Sequence, residues 1–374
     1  MTLREYRYGR LLSDFEVGAT YEHPWEVTVD GGAIALFQAS FLDAAPMFAS
    51  SHFARAWGFR ERPLHPLLCL NLALSFSVHD VSEQAIAHLA YLDVRFPEAG
   101  YAGDSVRARS TVLGAKPASS GDKGVVHVRT ALINEHDKVL CAFERKALIR
   151  AGKLETRPAG APPAGGGGFG GGAIPELTKL ERLPPELRQS RPVRVREGFT
   201  GYLEDFEPGQ VFTHAVGKTI GTSEHMQLTA LCRNSHPLHF DEVYCKDHSF
   251  TGQRVVYGGL VLSWVATLAS RDVAGNALWE LGYDAGAHPN GTVGGDTLYA
   301  ASRVLAVKPV GAAAGEVTLR LVGVKNRTSA SAYAEHGDAL FADELTKKDS
   351  KIKEKVVEIT RTLYVRAKAT PKQS

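Results

Sequence analysis

The 374-residue sequence predicts an α+β fold laid down twice, each copy an antiparallel sheet wrapped around one long apolar helix. Three observations carry this. The first is internal repetition. "DFEVG" at Asp14–Gly18 recurs as "DFEPG" at Asp205–Gly209, an offset of 191. "GDSVRARSTVLGAK" from Gly103 recurs as "GDTLYAASRVLAVK" from Gly295, and "HPLLCLNLALSFSVHDV" from His65 matches "YGGLVLSWVATLASRDV" from Tyr257, both at 192. Collinear matches at offsets that agree to within one residue mark a duplication. The second is period-two alternation, which argues for antiparallel strands with one face buried. The third is the segment Leu67 to Val78, apolar on nearly all sides, as expected of a helix enclosed by a sheet.

In the first half, residues 1–156, the DFE-x-G turn leads into a short strand, a helix-compatible stretch and the apolar helix. Strands follow, among them "VVHVRTALI" at 125–133 and "VLCAFERKALI" at 139–149. Residues 157–192 are dense in Gly and Pro, so a flexible linker is expected there. Its "GGGGFGGG" lacks the Lys-Ser/Thr and the strand-to-helix setting of a phosphate-binding loop. Residues 193–374 repeat the first half's order. In "VVEITRTLYVRAK", Val357, Ile359, Leu363 and Val365 alternate with Glu358, Thr360, Thr362 and Arg366. The charged run "ELTKKDSKIKEK" reads as a solvated hairpin.

Composition narrows the function classes. The chain is 44% apolar and 22% charged, ordinary for a soluble globular protein. A net charge of +2 argues for neither nucleic acid nor anionic membrane. The longest apolar stretch, "HPLLCLNLALSFSVHD", falls short of the about 20 residues needed to span a bilayer, and the first residues lack the apolar core of a signal peptide. Cys69, Cys141, Cys232 and Cys245 are scattered, so neither a disulfide framework nor structural zinc is expected, and the cytoplasm is the natural compartment.

One polar knot stands out, "RNSHPLHFDE" at 233–242, with His236 and His239 flanking Pro237-Leu238. No Cys, Glu or third His arrives at ligand spacing, so a metal site is not expected. Asp241 and Glu242 read as a helix-start pair.

The order strand, long apolar helix and "GD-T/S-L/V" strand meander resembles the hot-dog fold. Asn234-Ser235-His236-Pro237-Leu238-His239 is similar to Asp-x-Asn-Pro-Leu-His of the MaoC-like, or (R)-specific enoyl-CoA, hydratases, and "VVYGGLV" resembles their His-Gly-Met/Leu element. "SSHFARAWGFRERPLHPLLCLNLALSFSVHDVS", "HLAYLDVRFPEAGYAGDSV", "GVVHVRT" and "RNSHPLHFDEVY" resemble one branch of these, the mesaconyl-CoA hydratases, also called β-methylmalyl-CoA dehydratases. The resemblance implies a tandem (double) hot-dog fold. It also implies reversible hydration of mesaconyl-CoA (2-methylfumaryl-CoA) to β-methylmalyl-CoA, without metal or redox cofactor, coenzyme A being part of the substrate. The alternatives are another enoyl-CoA (mesaconyl-C4-CoA, itaconyl-CoA or an (R)-3-hydroxyacyl-CoA), thioester hydrolysis, or acyl-CoA binding without catalysis.

In that family the motif's Asp and His share acid/base work around one water, and a glycine N–H holds the thioester oxygen. Here the Asp position holds Asn234, which can orient water but not deprotonate it. His239 keeps the imidazole and becomes the principal acid/base; His236 adds a second imidazole, a candidate to position the water with Asn234, and Asp241 or a substrate carboxylate are candidate helpers. Mesaconyl-CoA carries a free carboxylate that an Asp at 234 would repel by about 1 to 4 kcal/mol at 4 Å. Arg233 is the candidate to pair with it. Tyr257, Gly258 and Gly259 would line the acyl site.

In the first half Asp43 aligns with Asn234, Phe48 with His239, and His65-Pro66 with Tyr257-Gly258. One active site per chain is therefore expected, with the first half shaping the channel and His52, His65, His79 and His88 serving packing or surface roles. Lys308 and Arg303 are candidates for the coenzyme A phosphates. Two units in one chain mimic a dimer, and a homodimer of such chains is expected in turn.

Overall fold

The computed structural model describes residues 9–153, 174–189, 193, 195, 201–344 and 351–368. Eleven strands form one continuous sheet: β1 (Thr20–Thr28), β2 (Ala85–Arg95), β3 (Ser105–Pro117), β4 (Lys123–Asn134), β5 (Val139–Arg150), β6 (Val211–Thr213), β7 (Lys218–Thr219), β8 (Ala277–Ala287), β9 (Thr297–Val310), β10 (Ala314–Lys325) and β11 (Lys355–Arg366). The order is β1-β3-β4-β5-β2-β8-β11-β10-β9-β6, with β7 also on β9. Read from its middle outward, the two arms match strand for strand. The join is β2 against β8, where Tyr91 faces Gly286 and Val94 faces Tyr283. Every pairing is antiparallel, so the expected pair of curled sheets is present and fused edge to edge.

The repeated motifs do the same work in both arms. Asp14 accepts the Leu11 N–H at 3.1 Å, and Asp205 accepts those of Gly201 and Tyr202 at 3.1 and 3.0 Å. Gly18 and Gly209 then turn the chain at φ 87° and 89°, where a Cβ would be strained. Asp104 and Asp296 each accept a backbone N–H three residues back, from Tyr101 and Val293, before β3 and β9 begin. A buried polar latch is repeated as well: His23 bridges Asp80 and Ser110, and His214 bridges Asp272 and Ser302.

Each arm wraps one central helix, Pro66–Phe76 and Gly258–Leu268. All residues of the first are buried, including the polar Asn71 and Ser75. Burying an amide requires partners. Asn71 Nδ2 donates to Leu67 O at 2.7 Å and to Ser263 Oγ at 2.9 Å. Asn71 and Ser263 are equivalent positions of the two repeats, so the helices meet where a two-fold axis would pass, each residue touching its own counterpart.

Three expectations need correction. The segment predicted as a linker at 157–192 is packed over its latter part: Ile174 and Leu177 are buried against Ala131, Ile133 and Ala142, and Leu187 reaches the main core. The sparse apolar residues there are spent on the sheet; the "GGGGFGGG" stretch lies outside the described residues. The charged run read as a solvated hairpin has buried ends, since Glu344 and Lys355 are both 0% exposed and Lys355 Nζ meets Glu358 Oε2 at 2.5 Å. The cause is an insertion between β10 and β11, where the helix Ser329–His336 and the turn Gly337–Phe341 cover the outer face of the sheet. For the same reason β11 is not solvated on its polar face at Glu358, which is buried, while Arg366 at its far end is buried against Tyr202 and the Val195 carbonyl.

Candidate active site

The knot begins where the helix Thr222–Leu231 ends. Arg233 takes the left-handed conformation at φ 63°, reversing the chain into Asn234. Asn234 Oδ1 accepts the His236 N–H at 3.0 Å, and His236 Nδ1 accepts the Leu238 N–H at 3.1 Å. Pro237 supplies the fixed φ for the single turn Pro237–His239. Asp241 then caps the helix Glu242–His248 by accepting from Val243 N and Tyr244 N at 2.8 and 3.0 Å. The helix-start reading of Asp241 holds, and its carboxylate is spent on the cap rather than on proton transfer.

These turns aim His239 into a cavity between the two arms. Its lining includes Asn234, His236, His239, Tyr257 and Gly258 from the second arm, and Val78, His88, Tyr91 and Arg145 from the first. His239 Nδ1 lies 2.8 Å from the Val255 carbonyl, so it carries the proton and leaves Nε2 as a free lone pair. Withdrawal from water, with His236 nearby, lowers the His239 pKa well below the usual imidazole value, so the ring is neutral and able to accept a proton at pH 7. Asn234 has its Oδ1 engaged in the turn, which leaves the Nδ2 amide as the group free to face the cavity.

Gly258 and Gly259 open the second central helix, so their N–H groups have no carbonyl four residues back within it and sit at its positive end. Gly258 lines the cavity, and a Cβ there would stand 2.9 Å from His288 Nε2. Gly259 points away from it, where a Cβ would lie 2.2 Å from Asn71 Oδ1 and 2.7 Å from the Tyr257 ring. Tyr257 packs beside His239 with ring centroids 5.6 Å apart and donates to Asn71 O at 3.3 Å. Burial pushes its phenol well above 10, so it stays protonated.

Several expected roles move. Arg233 is exposed and lines a separate groove with Val27, Asp30, Leu68 and Leu72; the left-handed turn that places Asn234 inward turns its neighbour out. His236 faces the cavity with Nδ1 accepting from Leu238 N and its ring against the Glu83 backbone, so it also pins the knot to the first arm. Arg303 pairs with Asp338 and lies over Phe341, and Lys308 sits beside Glu316, both on β9 away from the cavity lining. His88, read as a packing or surface histidine, lines the cavity instead. Sequence reasoning also missed Tyr91, Arg145 and His288. Tyr91 and Arg145 come from strands, and His288 from the residue just past β8, where alternation marks a face as inward without saying that the face meets an active site.

The equivalent position in the first arm is filled. Asp43 and His65 persist there as a buried pair 3.0 Å apart, and Phe48 packs on His65 at 4.6 Å between centroids. Trp279 and Phe59 stack behind it, and Pro66 has no N–H to offer where Gly258 has one. The remnant keeps an acid and a base with no room for a ligand between them.

Comparison with known proteins agrees with this geometry. The family described as mesaconyl-CoA hydratase matches residues 3–342. A mesaconyl-CoA hydratase from Cereibacter sphaeroides is 33% identical over 327 residues, covering 86% of this chain and 90% of its own. A β-methylmalyl-CoA dehydratase from Chloroflexus aurantiacus is 30% identical over 336 residues, covering 85% and 89%. Among solved structures, a MaoC domain protein from Chloroflexus aurantiacus superposes with a TM-score of 0.77 at 27% identity, covering 96% of this chain and 98% of that one. A Mycobacterium tuberculosis protein with a double hot-dog fold gives 0.68 at 20% identity over the same shares and supports the fold alone. With the motif, the tandem fold and the match over most of its length in agreement, this chain belongs to the mesaconyl-CoA hydratase family.

Proposed function

We propose that the chain is a hydro-lyase that reversibly adds water to mesaconyl-CoA, giving β-methylmalyl-CoA. The observation that carries this is the pairing, in one cavity, of a neutral histidine with a free Nε2 and a helix N-terminus opened by Gly258. His239 Nε2 takes a proton from water as the oxygen bonds to the β-carbon, and the π electrons move into the thioester. The Gly258 N–H meets the enolate oxygen, where a well-placed donor contributes about 10²- to 10³-fold in rate. Protonated His239 then returns that proton to the α-carbon, so one base serves both steps and nothing is left over. Asn234 Nδ2 orients the water. Coenzyme A enters as part of the substrate, and neither metal nor redox cofactor is needed for this proton chemistry. A homodimer of the two-arm chain in the cytoplasm belongs to the same reading.

The test follows the enoyl-thioester absorbance after mixing the full chain with mesaconyl-CoA, beside His239→Ala and a crotonyl-CoA control. Loss of the band with wild type, and a fall of about 10²- to 10⁴-fold in His239→Ala, is the expected result. An unchanged band with wild type overturns the hydratase reading. Free thiol appearing without hydration points to thioester hydrolysis.

A further inference from the structure

The two arms allow an internal comparison. On β11, Arg361 stands opposite Tyr283 and Leu363 opposite Glu280; on β5, Arg145 stands opposite Tyr91 and Ala147 opposite His88. The registers coincide, so Arg145 is the counterpart of Arg361 and His88 that of Glu280. In the second arm, whose strands back the filled position, the arginine is neutralised from within the chain: Arg361 Nε lies 3.0 Å from both Glu280 oxygens, and Arg361 Nη2 lies 2.7 Å from Oε2. In the first arm, whose strands β2 and β5 line the cavity, His88 stands in place of that carboxylate, and no carboxylate meets Arg145 among the described residues.

Arg145 is 4% exposed and lines the cavity, yet its hydrogen bonds are to neutral hydroxyls, Ser77 Oγ at 2.8 Å and Ser82 Oγ at 3.4 Å, and its Nε has no partner. Three other buried arginines, Arg10, Arg320 and Arg361, each meet a carboxylate, from Asp80, Glu358 and Glu280. Beside Arg145, both ring nitrogens of His88 are buried without a hydrogen-bond partner, and the ring packs on Tyr91 at 4.2 Å. A buried guanidinium without a counter-charge is costly, and this one, unlike those three, is left open toward a ligand.

We propose that Arg145 and His88 form the anion subsite that holds the free carboxylate of the acyl group, the ligand's carboxylate standing where Glu280 stands in the other arm. This rests on the proposed mesaconyl-CoA reading and replaces Arg233 as the source of selectivity. The guanidinium donates two N–H groups to the carboxylate and the neutral imidazole donates one, which orients the substrate so that its double bond lies over His239.

The experiment is calorimetric titration of the full chain with two unreactive thioesters, 2-methylsuccinyl-CoA, which bears the carboxylate, and butyryl-CoA, which does not. Wild type should prefer the first by about 10- to 150-fold, the range for hydrogen bonds to a charged group. Arg145→Gln and His88→Glu should both lose that preference while holding butyryl-CoA within about twofold. His88→Glu recreates the pairing seen at Glu280–Arg361, so it fills the subsite while keeping the fold. The proposal is overturned by a wild type without preference, by variants that retain it, or by equal losses on both thioesters, which would assign Arg145 to the coenzyme A portion. Turnover of mesaconyl-CoA, measured alongside, separates the two readings: preference without turnover sinks the hydratase assignment and leaves the subsite standing.

Discussion

Two adjacent glycines at the start of the second central helix are expected to fail in different ways when each gains one methyl group. At Gly258 the new Cβ would lie 2.9 Å from His288 Nε2 and 3.1 to 3.2 Å from the neighbouring ring atoms. That imidazole, bonded to Tyr91 OH at 3.2 Å, can shift toward the cavity. The helix loses nothing, because alanine is the better helix former by about 1 kcal/mol. Gly258→Ala should therefore melt within a few degrees of wild type while the methyl and the displaced ring crowd the oxyanion position. Alanine keeps the N–H, but blocking the oxyanion's access to it predicts a fall of up to about 10²- to 10³-fold in kcat, the effect of removing one such donor. At Gly259 the Cβ would lie 2.2 Å from Asn71 Oδ1 and 2.7 Å from the Tyr257 ring, both fixed in the core. Overpacking of this kind costs about 1 to 3 kcal/mol, so Gly259→Ala should lower the Tm, with partial recovery in Gly259→Ala/Asn71→Ala. The assays are hydration rate and thermal unfolding on the same preparations. Full activity in Gly258→Ala, or an undisturbed Tm in Gly259→Ala, would refute the division of labour between these two backbone positions.

Other outcomes follow from buried charge. Burial opposes the ionised form of Asp80, but bonds from His23 and Arg10 outweigh it and hold its carboxyl at about 2. Its folded pKa lies below the unfolded one, so its contribution, about 2.5 kcal/mol, is present above pH 4 and lost as pH falls from about 4 to 2. Urea midpoints measured across that range should fall more steeply in wild type than in Asp80→Asn; parallel curves would contradict it. Glu280→Gln strips the counter-charge from buried Arg361 and should cost about 3 to 5 kcal/mol, read by chemical unfolding. A single base serving both steps puts the hydroxyl and the new proton on the same face of the substrate. NMR of product formed in D₂O checks this, and opposite faces would require a second acid.

Much of this was legible in the chain. The offset between Asp14 and Asp205 announced two copies, because the DFE-x-G turn depends on local chemistry: a carboxylate that caps its own turn and a glycine at positive φ. The knot at 234–239 was legible for the same reason, since Asn234, His236 and Pro237 shape it through bonds to their near neighbours. So was the loss of a working site in the first arm, where Phe48 and Pro66 stand in place of a histidine and an N–H donor.

What the sequence could not tell was which side chains meet across the join. Whether Arg233 or Arg145 faces the cavity depends on a left-handed turn and on a strand register, neither of which is encoded in the spacing between the residues concerned. The burial of Lys355 depends on an insertion folding back over the sheet, and the role of His88 depends on the strand it shares an edge with. Local hydrogen bonds and periodicity are properties of a segment and can be read from it. Charge pairing across an interface between two arms is a property of distance, and only the tertiary structure fixed that distance.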